Sequence, residues 1–359
     1  MAAPVGLSAV LFRGRDYQAM MKSFLDELSA YTLSLSEGER KLFSPPIHWV
    51  CLANGDADFH DNVIFFGFCG KQSDPVLVAK VPRLVKNSWM LRTEYDHLVE
   101  LWECVGAEAV NYVPKPYGFM SLQDQRVLMI SYIPGESLTR LSRKSFWGNH
   151  GQVSELARDA ARRLRELNRL TQNPVEADAS PQPDFQAKAD RFRKFFPHSA
   201  DEDRQLSLLT KSLEEKSKSA THKVLLQGDF WHGNMIRDKQ GGKLMLIDWQ
   251  FARWSMDISM DLYFFLLAGA LSATGNGPAR ERAKMAYQLL SEWRTDVIPE
   301  YLAAYGTPEH YGLLPQKPGM LLCCVEKSIR STHEFGYSHS DDLLWRYLFA
   351  ELQNWPVED

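Results

Sequence analysis

VLLQGDFWHGNMI, Val224 to Ile236, and KLMLIDWQF, Lys243 to Phe251, are two apolar runs that each stop at an acid. The first breaks at Gln227-Gly228-Asp229 and sets Asn234 one short loop later. The second ends at Asp248. Either acid alone could cap a turn or close a strand. Two strands joined by a turn, each delivering a carboxylate near its end with an amide between them, read instead as a metal–phosphate arrangement. Phosphoryl transfer needs a carboxylate to orient the acceptor, a divalent metal across the phosphate oxygens and a cation on the phosphates. Mg²⁺ takes oxygen ligands, which the Asn234 carbonyl and the Asp248 carboxylate can supply. Gly228 and Gly233 allow the sharp bend that puts Asp229 and Asn234 on one tight loop.

The cation has to come from elsewhere. VLVAKV, Val76 to Val81, places Lys80 in an alternating strand pattern. A Lys there either faces solvent or holds phosphate. Glu94, early in the helical segment Trp89 to Val105, can orient it by ion pairing.

Outward from these motifs, residues 16–43 repeat apolar positions at helical spacing until the SPP at 44–46. IHWVCLA, NVIFFGFC and PVLVAKVP then read as strands of an antiparallel meander. The helix 89–105 follows, then VPKPYGFMS and RVLMISYIP as two more strands around a turn at LQDQ. Beyond Pro134-Gly135 the pattern changes. Gly151 to Leu170 is an amphipathic helix, 171–187 a loop, and 188–219 helical again. From Met256 onward the chain is mostly helical. The expected fold class is α+β, with a strand-rich lobe carrying one helix over 1–133 and a mostly helical lobe over 134–359.

The wording LLQGDFWHGNMI…LMLIDWQFARWSMDISMDLYFF resembles the aminoglycoside phosphotransferase and choline kinase superfamily, a branch of the protein-kinase-like fold. It is similar above all to the ecdysteroid-kinase-like and choline-kinase-like branches. The resemblance covers about residues 50–270 and implies a bilobal kinase that uses ATP and Mg²⁺. It implies that Asp229 is the catalytic acid and that Asn234 and Asp248 are metal ligands. Lys80 would meet the ATP phosphates with Glu94 as its partner. Tyr132 and Ile133 would offer backbone groups to adenine, and Asp261 would brace the catalytic loop. Two departures stand out. Gln227 occupies the place of a usual His and is expected to support the loop by hydrogen bonding. No GxGxxG loop is present, so ANGDADFHDNVIFF is expected to form the phosphate-covering hairpin, with Gly55 and Asn62 at its tip or edge.

Around the motifs, His232 reads as a packing residue, and Arg253 as a loop brace or a contact for an anionic acceptor. Trp231, Trp249 and Trp254 read as walls, any one of which could stack on an acceptor. Composition narrows the partners. A net charge of −4 with mixed signs gives no basis for nucleic-acid or membrane-surface binding. The five cysteines are scattered with no CxxC pair, which suits a reducing compartment such as the cytoplasm and argues against a zinc site. The N-terminal MAAPVGLSAVLFRGRD lacks the basic leader of a secretion signal. LYFFLLAGALSA, Leu262 to Ala273, is too short to span a bilayer and reads as a buried helix. The expected activity is transfer of the ATP γ-phosphate to a hydroxyl of an aminoglycoside, choline-like amine, sugar or steroid alcohol. The alternative is a non-catalytic kinase-like nucleotide-binding or scaffold protein. Oligomeric state and acceptor are open at this level.

Overall fold

The computed structural model describes residues 17–40, 43, 46–52, 62–122, 125–138, 147, 149–175, 185–330 and 342–356. The chain forms two compact units: Met1–Glu136 with Ile236–Phe251, and Ser137–Met235 with Ala252–Asp359. The class is α+β, as expected. The lobe boundary expected at 133/134 compares with a first unit that runs to Glu136 and then takes back residues 236–251.

In the first unit, strands β1 (Ile47–Leu52), β2 (Asn62–Cys69), β3 (Leu77–Pro82), β4 (Pro116–Leu122) and β5 (Gln125–Ser131) make one sheet in the order β1-β2-β3-β5-β4. All of its ladders are antiparallel. The turn read at LQDQ falls partly outside the described residues. Strand β2 alternates as its sequence does, turning Val63, Phe65 and Cys69 inward. Helix α1 (Tyr17–Ser34) meets that face with Phe24 and Leu28, and the Phe24 and Phe65 rings stand 5.6 Å apart. Helix α2 (Ser88–Val105) buries Met90, Leu91, Leu98 and Leu101 at helical spacing, with Glu94 as the one acid on the same face.

Lys80 does not face solvent. Strand β3 lies mid-sheet, and Lys80 is registered between Ile64 and Leu128 with 5% exposure. Both faces of β3 are covered, so its alternating pattern does not translate into an exposed face.

A second sheet has the order β10-β9-β6, from β6 (Gly135–Ser137), β9 (Met235–Asp238) and β10 (Leu244–Leu246). The β9–β10 hairpin carries the chain toward Asp248. Gly135 permits the approach of β6 to β9, because a Cβ there would stand 2.5 Å from the Arg237 carbonyl oxygen.

The second unit holds a small sheet β11-β8-β7, from β7 (Asn173–Pro174), β8 (His222–Leu226) and β11 (Arg253–Ser255). Val224, Leu225 and Leu226 are all buried, so the opening apolar run is a core strand. Its helices are α3 (His150–Thr171), α4 (Phe185–Phe195), α5 (Ala200–Ser219), α6 (Ser259–Ala273), α7 (Ala279–Trp293), α8 (Val297–Tyr305), α9 (Gln316–Ile329) and α10 (Asp342–Leu352). The helical stretch read as one over 188–219 is two. Pro197 interrupts it, and Ser199 with Glu202 closes a capping box that starts α5. Helix α6 is buried on nearly every side, as LYFFLLAGALSA suggested. No helix among the described residues is long and apolar enough to cross a membrane.

Candidate active site

Each unit carries a charged constellation among its described residues. In the first, Lys80 Nζ donates to Glu94 Oε1 at 2.7 Å and Oε2 at 3.0 Å, and to Asp248 Oδ1. Burial alone would push the ammonium toward neutrality. The Asp248 and Glu94 carboxylates outweigh it and hold Lys80 protonated, well above its usual range. Asp248 follows β10 with φ 58°, the only described non-glycine residue with a left-handed backbone. Aspartate tolerates that region better than most residues, and such backbone strain concentrates at functional positions.

The same unit holds a cleft of about 480 Å³ lined by Asn111, Tyr132, Ile133, Asp238, Lys243 and Met245, among others. Tyr132 N–H donates to the Val76 carbonyl at 3.0 Å. Tyr132 and Ile133, read as offering backbone groups to adenine, both line this cleft. Asn62 opens β2 opposite Pro82. Gly55 and the rest of 53–61, read as the phosphate-covering hairpin, lie outside the described residues.

In the second unit the loop after β8 is fastened from beneath. Asp261, at the start of α6, accepts from Gln227 N at 2.7 Å and from Gly228 N at 2.8 Å. Burial pushes this carboxyl up to about 6. Gln227 Oε1 accepts from Asp229 N at 2.8 Å, which is the loop-tying bond expected where a His is usual. Gly228 turns the chain at φ 76°. Asn234 Nδ2 donates to the Asp229 carbonyl at 3.0 Å and to Asp229 Oδ2 at 2.9 Å. That leaves the amide oxygen of Asn234 as an oxygen donor of the kind a hard cation such as Mg²⁺ takes. His232 packs edge-on to Trp147 and Trp231 at 4.8 and 4.9 Å. Burial pushes it down to about 4, so it is a neutral packing residue. Trp249 is fully buried, and Trp254 lies under the Lys223 ammonium at 5.2 Å.

Helix α9 brings charges to this loop. Lys327 Nζ pairs with Asp229 Oδ1, Arg330 Nη1 stands 3.7 Å from the same oxygen, and Arg330 also donates to the Gly228 carbonyl at 3.1 Å. Burial would raise Asp229, but these two cations hold it below the usual carboxylate range. Burial in turn pushes Lys327 down to about 8, against the pull of Asp229. One residue earlier, Glu326 takes Lys188 from α4 and Arg253 from β11, the latter at 3.3 Å. Against the burial that would raise it, these cations bring Glu326 down to about 2.

The sequence pattern that defines the phosphotransferase enzyme family matches residues 77–310, most of the chain and all of both constellations but the α9 charges. This chain belongs to the phosphotransferase enzyme family. Two solved structures agree in fold. A putative fructosamine-3-kinase from Haemophilus somnus is 14% identical, with 94% of this chain and 99% of that one covered and a TM-score of 0.50. A putative fructosamine-3-kinase from Thermobifida fusca is also 14% identical, with 91% and 99% covered and a TM-score of 0.50. An aminoglycoside phosphotransferase from Streptomyces rimosus is 13% identical, with 94% and 98% covered and a TM-score of 0.46. No curated protein matches the chain.

Within this family member, sequence reading found Lys80, Glu94 and Asp248, which the first unit brings together, and Asp229 and Asn234, which the second does. It missed Lys188, Glu326, Lys327 and Arg330. The signal available was LLCCVEKSIR, an apolar helix whose charges at 326, 327 and 330 fall within about one turn. Charges in a buried helix need partners. Arg253, read as a brace or an anion contact, braces Glu326.

Two stability predictions follow from these bonds. Glu326→Ala leaves Lys188 and Arg253 without their shared carboxylate, and is expected to cost about 3 kcal/mol or more. The folded-state pKa of Glu326 is depressed from 4.5 to about 2. Its contribution is therefore present above the unfolded value and lost as pH falls through the folded one. In urea unfolding, the gap between wild type and variant should narrow on going from pH 7 to pH 3; a gap that widens contradicts the assignment. Gln227→Ala is expected to cost about 1 kcal/mol for the lost bond to Asp229 N, read as a lower Tm. Gln227→His should be near neutral in both Tm and turnover. A large gain in turnover on placing His there would instead show that the native loop had given up catalysis.

Proposed function

We propose that this protein transfers the γ-phosphate of ATP to a hydroxyl of a small molecule. What supports the reading most is the Lys80–Glu94–Asp248 cluster. A lysine buried mid-sheet beside two carboxylates is a poor device for stability, because the desolvation penalty rivals the Coulombic gain. In a phosphotransferase-family chain it suits a nucleotide's phosphates.

The residues then take these roles. Glu94 holds Lys80 in place, and Lys80 meets the phosphate oxygens. The Tyr132 carbonyl and Ile133 amide receive the adenine, with Asn62 at the start of the covering segment. Asp248 and the amide oxygen of Asn234 would hold Mg²⁺, which when bound would neutralise charge on the phosphates. Asp229 orients the acceptor hydroxyl. As the acceptor oxygen bonds to the γ-phosphorus, the bond from that phosphorus to the β–γ bridging oxygen breaks. ADP leaves with the electron pair, and the hydroxyl proton passes to Asp229. Held below the usual carboxylate range by its cations, Asp229 is a weak base. That suits a loose transition state, where positioning counts for more than early proton removal. Asp261 and Gln227 keep the loop in shape from behind.

The test is ADP release in the presence of a library of hydroxyl compounds, with the Asp229→Asn protein as the blank. Release that depends on both an acceptor and Asp229 is the expected result. A protein that binds ATP yet releases no ADP above the blank with any member would instead be a kinase-like binding protein.

A further inference from the structure

The surroundings of Asp229 bear on which acceptor it serves. A hydroxyl oriented by Asp229 must come within hydrogen-bond distance of its carboxylate, about 3 Å. The acceptor is then a neighbour of whatever else touches that carboxylate. Two protein cations do, Lys327 and Arg330. The nearby Glu326 carboxylate is likewise engaged by two, Lys188 and Arg253. Of the buried acids near the start of α6, Asp261 is turned to the backbone N–H groups of Gln227 and Gly228, and Asp257, which also faces Arg253, accepts from Ser259 N–H. Among the described residues, the two cations on Asp229 and the two on Glu326 thus outnumber those two carboxylates, and each of the carboxylates named already has partners inside the protein. An amine-bearing acceptor would need to take a carboxylate away from a buried lysine or arginine. An acidic acceptor meets cations at the distance where opposite charge is most favourable.

We infer that the acceptor of this protein is a hydroxyl compound carrying an anionic group, received by Lys327 and Arg330 beside Asp229. The inference rests on the phosphotransferase reading above and narrows it away from cationic acceptors. The same two cations could instead serve only the phosphoryl group in transfer. In that case the charge of the acceptor would be indifferent, and the experiment separates the two.

Wild-type protein with ATP and Mg²⁺ is offered two charge series on matched polyol frames: glycerate, glycerol and 2-amino-1,3-propanediol; glucuronate, glucose and glucosamine. A wider library with equal numbers of anionic, neutral and cationic hydroxyl compounds is run beside them. ADP release is measured against Asp229→Asn. The expected result is a kcat/KM for anionic members about tenfold or more above that for their neutral and cationic counterparts, about 1.4 kcal/mol of discrimination. For the best anionic acceptor, Arg330→Gln is expected to raise KM about tenfold while leaving the KM for ATP unchanged, and Arg330→Lys to restore most of the loss. Equal use of neutral and anionic members, or preference for cationic ones, overturns the inference and leaves the phosphotransferase reading standing. So does an Arg330→Gln protein that loses Tm and kcat with no change in acceptor KM, since Arg330 would then only hold the Gly228 carbonyl. No Asp229-dependent release with any class overturns both.

Discussion

Asp229→Asn is expected to lower kcat by about two to four orders of magnitude, the scale of a positioned general base, with ATP affinity unchanged. Asparagine keeps the size of the side chain and can still accept from Asn234 Nδ2, so the loop bonds at 3.0 and 2.9 Å have no steric reason to break. What disappears is the negative charge. That removes the proton acceptor and also the counter-ion of Lys327, which burial already pushes down to about 8. Without Asp229 the lysine should shift further toward its neutral form, and some stability should be lost with it. Measuring Tm alongside kcat at saturating ATP separates the two consequences. A variant with wild-type turnover would remove Asp229 from the chemistry. A variant that loses turnover only in proportion to its unfolded fraction would make it a structural acid.

Asp248→Asn should remove the benefit that Mg²⁺ gives to ATP binding, so that the ratio of affinities with and without Mg²⁺ falls to about one, because a hard cation loses its charged oxygen ligand. Asparagine is the informative replacement. Asp248 sits at φ 58°, where asparagine is tolerated and alanine adds backbone strain. Lys80 keeps Glu94 at 2.7 and 3.0 Å, so its charge remains compensated. Nucleotide titration with and without Mg²⁺ is the measurement. A variant that keeps the wild-type Mg²⁺ enhancement would contradict the assignment of Asp248 as a ligand.

Both predictions concern residues that were readable in advance, and the reason is local. Asp229, Asn234 and Asp248 stand at the ends of apolar runs, where a strand gives way to a turn. Glu94 is the one acid on the buried stripe of α2. The strands and helices of the first unit could be read for the same reason, since period and punctuation follow from neighbours along the chain. The charged helix 188–219 shows where local reading fell short. Its charged residues run on across Pro197, and only the Ser199–Glu202 box marks where the helix restarts.

Other features had no local trace. Lys80 lies in a pattern that alternates, and its burial follows only from β3 lying mid-sheet with both faces covered. Residues 236–251 pack with the first unit although the chain has already entered the second.

The amino-acid sequence by itself determined the α+β class, the order of the elements, and which acids and which lysine are the candidates for the chemistry. Those properties reside in apolar period, turn residues and strand ends. The tertiary structure alone decided the charge environment of Asp229. Lys327 reaches it from 98 residues away, Arg330 meets Gly228 from 102 residues away, and Glu326 draws Lys188 from 138 residues away. No periodicity along a chain encodes such meetings. They arise when the packing of α9 removes water from its charged turn, and each buried ion must then find its partner within the protein.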